Sequence, residues 1–530
     1  MACKRSAVRS RLAPPVYLFK LWYMRRVAGR SSRMQHVPVC KWDRPLPPVL
    51  ALSPSSRGLG HRPFTAVTGV RIPLGTPVYL RQIVRCDVSV FREPYRLWSC
   101  PWRSILRWAA ALLGGCGSSF DPVPARSSTF KFRESSNPMI DSVFPALEIR
   151  GRKILPIIQG GMGVGISAHR LAGAVAKEGA MGTIASVELR RLHPDIMEQT
   201  GNSKDHEIQA ASNLVALDRE LIAAREIAGP SGFIAVNVMR AVKHYTDLVR
   251  QACKSGANAI VMGAGLPFDL PELTKEHDDV ALIPILSEER GVRAVLKRWM
   301  RGGRLPDAIV IEHPRYAGGH LGATRIEDID DPKFDFSRVL DAIRDVFTQL
   351  GLATDRVPLI PAGGINSFEK IKEMFAMGAR GVQIGTPFAV TTEGDAHDMF
   401  KKVLVSATRK DIITFMSTAG LPCRAVLTPW LKRYLRNESK LRFKAVPGEG
   451  DCVRNLECLT YCGLRDGEPE AGQFCIETQL AAAQRGDLRQ GLFFRGSEEL
   501  PFGNEVRSVH ELLDYLLSGH WPETPPALIV

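Results

Sequence analysis

Eight short, mainly apolar runs alternate with amphipathic stretches of about ten to fifteen residues through the middle of this chain. Runs that are apolar on both faces are typical of parallel strands covered by helices on each side. Eight such strand–helix units over about 250 residues predict a closed (β/α)8 TIM barrel, an α/β fold. A doubly wound open sheet is the alternative, because strand–helix alternation is common to both folds. The predicted strands begin at Ile154, Met181, Phe233, Ala259, Ala281, Ala308, Pro358 and Gly381.

An internal similarity favours the closed barrel. Residues 255–263 read SGANAIVMG and residues 377–385 read MGARGVQIG, four strand–helix units further along. The fourth and eighth predicted strands therefore look like counterparts in two half-barrels.

The first 138 residues differ in composition from the rest. They hold 23 basic and 5 acidic residues, a net of +18, so the remaining chain is at −3 within the total of +15. We interpret residues 1–138 as a basic leader that is disordered or comes from an over-extended reading frame, with the natural start near Met139. A targeting presequence and a basic tail that binds nucleic acid are the alternatives.

Residues 139–435 are the predicted barrel, and residues 436–530 a cysteine-containing C-terminal extension that packs on or near it. We interpret the cysteines of the extension as structural thiols without a metal; their spacings are not standard for zinc or an iron–sulfur cluster, which is the alternative. The absence of a run of 18 apolar residues argues against a membrane span. Scattered cysteines favour a reducing cytoplasm. The extension's cysteines are Cys452, Cys458, Cys462 and Cys475.

Glycine-containing turns follow the seventh and eighth predicted strands. Consecutive final strands of a barrel can share one phosphate group, because glycines let backbone N–H groups approach an anion closely. The sequence therefore predicts a phosphate site at the ends of these strands. Its predicted residues are Ala362, Gly363, Gly364, Gln383, Gly385 and Thr386.

A second glycine-rich segment, Gln159-Gly160-Gly161-Met162, follows the first strand. Its glycines would let the main chain lie against a flat ring, and Met162 offers an apolar contact or a backbone N–H to the ring edge. Asn237, at the end of the third strand, can hydrogen-bond a ring or a substrate oxygen. A flexible turn and a strand-ending amide are the plainer alternatives.

His320 lies among small residues after the sixth predicted strand, at the same barrel end as the glycine turns. A histidine with an ordinary pKa of about 6.5 suits proton transfer near neutral pH. We therefore predict His320 as the catalytic residue. Glu312 and His313 are alternatives for the same role.

Five motifs in this order resemble the nitronate monooxygenase (2-nitropropane dioxygenase) family: QGGMG, AVNVM, AGGHLG, PAGGI and VQIGTPF. The resemblance covers about 290 residues of the barrel and implies FMN as cofactor. It implies that His320 is the catalytic histidine, that residues 159–162 lie beside the isoalloxazine, and that the glycine turns with Thr386 hold the phosphate. Where many members have Gln-Ala-Pro-Met, this chain has Gln-Gly-Gly-Met, a form that also resembles flavin-dependent enoyl-thioester reductases.

The resemblance implies oxidation of nitronates or nitroalkanes by O2 to a carbonyl compound and nitrite. His320 would abstract the α-proton of a nitroalkane or, if protonated, stabilise the nitronate anion. The alternative is an NAD(P)H-dependent reductase of an enoyl thioester or quinone in the same barrel. A nucleic-acid-binding protein that acts through its basic leader is the alternative from another class. We expect a small-molecule substrate and O2 as partners, with no nucleic acid or membrane; a homo-oligomer is left open.

Overall fold

The structure is a computed structural model that describes residues 140–450, 452, 458–523 and 525–526. The predicted basic leader and the proposed start at Met139 lie outside the described residues. The description below concerns the remaining part of the chain.

The eight predicted strands form a closed parallel barrel in the order β10-β11-β3-β4-β5-β6-β7-β8. Strand β11 pairs with β3 through Val382 and Ile157, which joins the last strand to the first. This closure confirms the predicted (β/α)8 fold and excludes the open sheet. The strands are β1 Leu147–Ile149, β2 Arg152–Ile154, β3 Ile157–Gln159, β4 Met181–Ala185, β5 Phe233–Met239, β6 Ala259–Gly263, β7 Ala281–Leu286, β8 Ile309–Glu312, β9 Gly319–His320, β10 Leu359–Ala362, β11 Val382–Ile384, β12 Ile412–Met416 and β13 Pro422–Val426.

Helices surround the barrel and cover the apolar side chains on the outer face of its strands. Val261 and Ile283 pack in the barrel interior, whereas Ile260 and Leu282 pack outward against helices. The α-helices are α1 His169–Lys177, α2 Pro194–Thr200, α3 His206–Ala228, α4 Tyr245–Lys254, α5 Leu270–Leu273, α6 Glu289–Met300, α7 Phe336–Gln349, α8 Phe368–Ala376, α9 Thr386–Ala389, α10 Asp398–Ser406, α11 Pro429–Lys444, α12 Gly463–Asp466, α13 Ile476–Gln484 and α14 Val509–Ser518. Short 3-10 helices are Leu189–Leu192, Ile326–Asp328, Pro332–Phe334 and Arg409–Asp411.

An antiparallel hairpin of β1 and β2 precedes the barrel and covers its amino end. Leu147 pairs with Ile154, and both pack in the same apolar cluster as the barrel interior. The amino end is thereby closed with side chains. The carboxyl end is left as the open end of the barrel.

A small antiparallel sheet, β12-β13-β9, lies outside the barrel. Its strand β9 contains His320, which pairs with Cys423 of β13. This pairing fixes the backbone of His320 to a strand that lies about 100 residues further along the chain.

The C-terminal region packs on the barrel. Helix α14 begins with a capping box of Ser508 and Glu511, and its leucines pack among residues of α1 and α8. Helix α14 therefore packs on the outside of the barrel. The predicted boundary at residue 435 falls inside α11.

Candidate active site

A cavity of about 650 Å³ lies at the carboxyl ends of the barrel strands. Its lining includes all the predicted site residues except Gln159. A size of several hundred cubic ångströms is usual for a cofactor and substrate pocket. The predicted residues that line it are Gly160, Gly161, Met162, Asn237, His320, Ala362, Gly363, Gly364, Gln383, Gly385 and Thr386.

The two predicted glycine turns meet at one side of this cavity, because Ala362 of β10 pairs with Gln383 of β11. Gly364 has a φ of +73°, and a Cβ added there would lie 2.8 Å from the Cβ of Tyr316. A side chain at this position would be strained and crowded. At Gly385 an added Cβ would meet only the Met162 sulfur, at 3.8 Å. Gly385 thus presents backbone with little side-chain cover, whereas Gly364 packs against Tyr316.

Hydrogen bonds from outside the turns hold them in place. Lys370 Nζ donates to the Gly364 carbonyl at 2.8 Å and forms an ion pair with Glu498 at 3.1 Å. Thr386 Oγ1 accepts a hydrogen bond from the Gly496 N–H at 3.1 Å. The hydroxyl proton of Thr386 therefore remains available for another acceptor. A cation and a hydroxyl donor lie beside the glycine turns.

The segment after β3 is positioned by buried polar contacts. Gln159 is fully buried; its Oε1 accepts from the Thr183 N–H at 2.8 Å, so it lies outside the cavity lining. A Cβ at Gly161 would lie 2.3 Å from that of Asn237, so close packing on Asn237 requires this glycine. The Met162 N–H donates to Ser167 Oγ at 2.9 Å. The N–H predicted to face a ring edge is therefore already engaged, although Met162 lines the cavity.

Two side-chain amides face the cavity from the barrel. Asn237 donates from Nδ2 to the Val261 carbonyl at 3.3 Å, which holds its side chain along the top of β5 and β6. The Gln383 Oε1 atom is buried and has no hydrogen-bond partner in the part of the chain that the structure describes. A buried polar atom without a partner has unused capacity for a ligand.

His320 also lines the cavity. Its ring stands edge-on to Phe494, with the ring centroids 5.7 Å apart, and its Nε2 is buried without a hydrogen-bond partner among the described residues. Burial lowers the pKa of His320 to about 4. The ordinary pKa expected from the sequence is therefore wrong for this residue, and its ring is uncharged at neutral pH.

The two alternatives to His320 have different surroundings. His313 is buried away from the cavity, where its Nδ1 accepts from the Arg315 N–H at 3.3 Å. Burial lowers the pKa of His313 to about 4. Glu312, at the end of β8, does line the cavity. The structure thus removes His313 from the candidates and keeps Glu312.

A family model described as nitronate monooxygenase matches residues 150–519, more than half of the chain. The chain belongs to the nitronate monooxygenase family. It is therefore an enzyme, a flavin-dependent oxidoreductase, which confirms the assignment made from the five motifs. The match runs from before β3 to beyond α14 and so includes the C-terminal region as well as the barrel.

Curated relatives carry the same family name. A "probable nitronate monooxygenase" of Bacillus subtilis is 27% identical over 286 residues, which is 52% of this chain and 78% of the relative. One from Staphylococcus saprophyticus is 23% identical over 291 residues, covering 51% of this chain and 75% of the relative. In both cases the match covers about three quarters of the relative and about half of this chain.

Two solved structures are similar at lower identity. FabK from Thermotoga maritima is 21% identical with a TM-score of 0.47, covering 68% of this chain and 91% of FabK. Nitroalkane oxidase from Streptomyces ansochromogenes is 17% identical with a TM-score of 0.46, covering 68% of this chain and 94% of the oxidase.

The C-terminal region of this family member supplies one side of the cavity, which the sequence analysis did not predict. We call the cavity-lining residues between 458 and 500 the C-terminal wall. A Cβ at Gly318 would lie 2.5 Å from the Gly496 nitrogen, which shows how closely the wall packs on the segment before His320. The wall consists of Cys458, Leu459, Ile476, Glu477, Leu480, Ala483, Leu492, Phe494, Arg495, Gly496, Glu498, Glu499 and Leu500.

A buried ion cluster attaches this wall to the barrel. Arg190 lies 3.0 Å from Glu188 and 3.7 Å from Glu477, and Arg191 forms ion pairs with both carboxylates. Burial and the nearby Glu188 raise the pKa of Glu477 to about 8. Burial alone would raise the pKa of Glu188, but a hydrogen bond from Glu477 and the two arginines together lower it to about 2. At neutral pH one proton is thus held on Glu477 between the two acids.

The cysteines of the extension include one at the cavity, Cys458. Burial raises the pKa of Cys458, so its thiol is protonated at neutral pH. No group of three or more His, Cys, Asp or Glu side chains that could hold a metal ion is found among the described residues. Within the same part of the chain, no helix has the length and apolar character needed to cross a membrane.

Proposed function

We propose that this chain catalyses the FMN-dependent oxidation of nitronates or nitroalkanes by O2, with a carbonyl compound and nitrite as products. The single observation that carries the proposal is that the two glycine turns and His320 line one cavity. A phosphate-holding turn and a substrate-contacting histidine in one cavity are what a flavin enzyme of this barrel needs.

The residues of the cavity fit an FMN molecule. Gly363, Gly364 and Gly385 would offer backbone N–H groups to its phosphate, with the Thr386 hydroxyl as a further donor. Lys370, which donates to the Gly364 carbonyl, adds positive charge beside that site. Ala362 would border the phosphate as the last residue of β10. These features support FMN binding with the phosphate at the ends of β10 and β11.

The part of the cavity beside Gly160 and Gln383 suits a flat ring. Gln383 Oε1, buried without a partner among the described residues, would accept a hydrogen bond from a ring N–H. Asn237 would contact the ring edge, and Gly160 and Met162 would lie along the ring. Gln159 would not touch the ring but would position this segment. Its side-chain amide accepts a hydrogen bond from the Thr183 N–H and donates one to the Gly160 carbonyl.

Bound FMN would supply the redox chemistry, with the nitronate as electron donor and O2 as the final acceptor. The protein's part is to bind and orient the substrate and to handle its proton. The uncharged His320 ring would hydrogen-bond a nitro or nitronate oxygen through its unpartnered Nε2. A protonated His320 that stabilises the nitronate is not part of the proposal, because burial keeps the pKa of this ring at about 4.

Purified protein tests the proposal directly. We expect denatured protein to release FMN, identified by its absorbance and mass, and the native protein to consume O2 when a nitronate is added without NAD(P)H. His320→Asn should keep FMN bound and lose most turnover of the nitronate, on the order of 100-fold. Protein that releases no flavin would contradict FMN binding.

The second candidate function is the NAD(P)H-dependent reductase. The observation in its favour is the Gly160-Gly161 pair after β3, where the family form Ala-Pro is absent. Rapid flavin bleaching by NADH, followed by reduction of an enoyl thioester or quinone, would support this reductase and overturn the oxidase proposal. O2 consumption that depends only on the nitronate would exclude it.

A further inference from the structure

Arg495 of the C-terminal wall is the only lysine or arginine among the described residues that line the cavity. Its side chain is buried, with the whole residue 4% exposed, so its charge lies inside the protein. Six glutamates line the same cavity. An anionic group that enters the cavity therefore meets one permanently charged cation there, and that cation is Arg495.

The other buried arginines of the described chain are used differently. Arg190 and Arg507 each form ion pairs with glutamates. Arg424 has no ion pair, but it does not line the cavity and donates to two main-chain carbonyls. Arg495 lines the cavity and has no carboxylate at ion-pair distance within the described residues; Glu499 acts on it from further away. A buried cation without a close anion is costly, which favours a role in binding one.

Two hydrogen bonds hold the guanidinium of Arg495 in place. Its Nε donates to the Leu404 carbonyl at 3.0 Å, and its Nη1 donates to the Gly496 carbonyl at 3.1 Å. Leu404 lies in the last turn of α10, so Arg495 also stabilises the end of that helix. The Nη2 atom makes no hydrogen bond with a described residue and is not fully enclosed. This nitrogen therefore has donors left for a ligand.

The direction of the Arg495 side chain separates it from His320. Residues 493–495 run beside β13, to which Phe493 and Arg495 are both hydrogen-bonded through the main chain. Side chains of an extended segment alternate between its two faces. Phe494 turns to His320, whereas Phe493 and Arg495 turn the other way, to the side of Leu404. Arg495 is thus placed away from an anion that would be held at His320.

Arg495 lies instead beside the second glycine turn. The N–H of the next residue, Gly496, donates to Thr386 Oγ1 at 3.1 Å, and a Cβ added at Gly496 would lie 3.5 Å from the same oxygen. Helix α9 begins at Thr386, and its last residue, Ala389, packs in the same apolar cluster as Leu404. The guanidinium therefore occupies the side of the cavity formed by α9 and α10.

The glycine turns need a cation if they are to hold a phosphate group. A phosphate monoester carries almost two negative charges at neutral pH, whereas main-chain N–H groups supply only partial positive charge. Lys370 does not line the cavity, and its Nζ is engaged by the Gly364 carbonyl and by Glu498. The planar guanidinium of an arginine matches the geometry of phosphate oxygens. Arg495 meets both requirements, since it is charged and reaches the cavity.

We propose that Arg495 binds the phosphate group of FMN and gives the site its preference for a flavin that carries phosphate. The inference deepens the proposed function and rests on it for the identity of the cofactor. The C-terminal wall then contributes one charged residue to the cofactor site, although most of its side chains are apolar.

Arg495→Gln tests the assignment through two flavins that differ only in the phosphate group. Fluorescence titration of apoprotein measures the affinities for FMN and for riboflavin, which has the same ring and no phosphate. We expect the variant to lose FMN affinity about 10- to 100-fold and to keep a riboflavin affinity close to that of the wild type. A purely structural role at the end of α10 would weaken both flavins alike.

Two further variants provide the controls. Arg495→Lys keeps the charge without the planar guanidinium and should keep part of the preference for FMN. Arg424→Gln is the matched control, because Arg424 is also a buried arginine without an ion pair that donates to main-chain carbonyls. It lies outside the cavity lining and should leave the ratio of FMN to riboflavin affinity unchanged.

Several outcomes would overturn the inference. An unchanged ratio in Arg495→Gln, or a wild type that binds both flavins equally, removes Arg495 as the phosphate ligand. An unchanged ratio with weaker NADH binding would assign the cation to a nicotinamide dinucleotide instead. Loss of both flavins in the Gln and Lys variants alike would make Arg495 a structural residue, whereas a preference for FMN that survives in Arg495→Lys alone would support the role of its charge.

The titrations need no turnover, which keeps the inference separate from the proposed function. A wild type that prefers FMN but does not oxidise a nitronate would contradict the proposed reaction, and the result for Arg495 would still stand.

Discussion

The glycine turns of the barrel and the C-terminal wall line one cavity and present different chemical groups to it. The turns use backbone that lacks side-chain cover, as at Gly385, where an added Cβ would meet only one atom within 4 Å. The wall uses apolar side chains such as Phe494 and is fastened to the barrel by buried charges around Glu477. One side therefore offers backbone groups to the cavity, and the other offers mainly apolar side chains.

The turns and the wall are also held in place by different contacts. The glycine turns follow directly from paired barrel strands, and the wall adds a hydrogen bond from the Gly496 N–H to Thr386. The wall depends on contacts between segments that are almost 300 residues apart, such as the ion pair of Arg191 with Glu477. Damage to the ion pairs of the wall should therefore act on stability and substrate turnover together, whereas damage to the turns should act on cofactor affinity.

The largest effect should come from removing a charge that fastens the wall. Arg190 is almost fully buried, and Arg190→Met would leave the buried Glu188 carboxylate with Arg191 alone and remove one of the two cations beside Glu477. Breaking a buried ion pair from one side costs about 3–5 kcal/mol of unfolding free energy. Urea denaturation measures it. Arg219→Met removes an exposed ion pair with Asp195 and should cost less than about 1 kcal/mol. Equal losses in the two variants would show that the buried cluster does not fasten the wall.

A smaller and more selective effect is expected at the turns. Gly364→Ala places a side chain at φ +73° and 2.8 Å from Tyr316, so we expect FMN affinity to fall at least about tenfold. Gly351→Ala is the matched control, because Gly351 has a φ of +72° and nothing within 4 Å of an added Cβ. Both variants should lose about 1–2 kcal/mol through backbone strain. Fluorescence titration of apoprotein with FMN distinguishes them; similar affinities would argue against the turn as the phosphate site.

The sequence predicted the barrel and the turns because their signals are local. Each strand appears as a continuous apolar run, and the turn after β10 needs positive φ at consecutive positions, which favours glycine. Gly161 is a partial exception, since its reason is packing on Asn237, a contact that a linear sequence does not display.

The position of the C-terminal wall and the pKa of His320 could not be predicted in the same way. Phe494 contacts His320 across more than 170 residues, and no spacing in the sequence connects them. The pKa of His320 depends on burial by those distant segments, so an ordinary value was the natural expectation and was wrong. Glu312 was considered as an alternative from its position beside the motif. Its place on the lining of the cavity became visible only in the folded barrel.

A third variant tests whether the wall shapes the substrate side. Phe494→Leu removes the aromatic ring that stands edge-on to His320, an interaction of about 0.5–1.5 kcal/mol, so we expect nitronate kcat/KM to fall by up to about tenfold with FMN affinity unchanged. Phe443→Leu, at a residue that is 91% exposed, is the control and should change neither value. A loss of FMN in Phe494→Leu would mean that Phe494 also holds the cofactor.

The smallest effect concerns the proton held in the ion cluster of the wall. The pKa of Glu477 is raised from 4.5 to about 8, so the folded state binds a proton that the unfolded chain has already released between those values. This contribution is fully present below pH 4.5 and is lost as pH rises towards 8. The free energy of unfolding should therefore decline over that range. In Glu477→Gln, which resembles the protonated acid, the decline should become shallower. Glu272→Gln, at an exposed glutamate, should keep the wild-type slope. Parallel slopes in all three proteins, measured by urea denaturation at a series of pH values, would show that Glu188 and Glu477 do not share a proton.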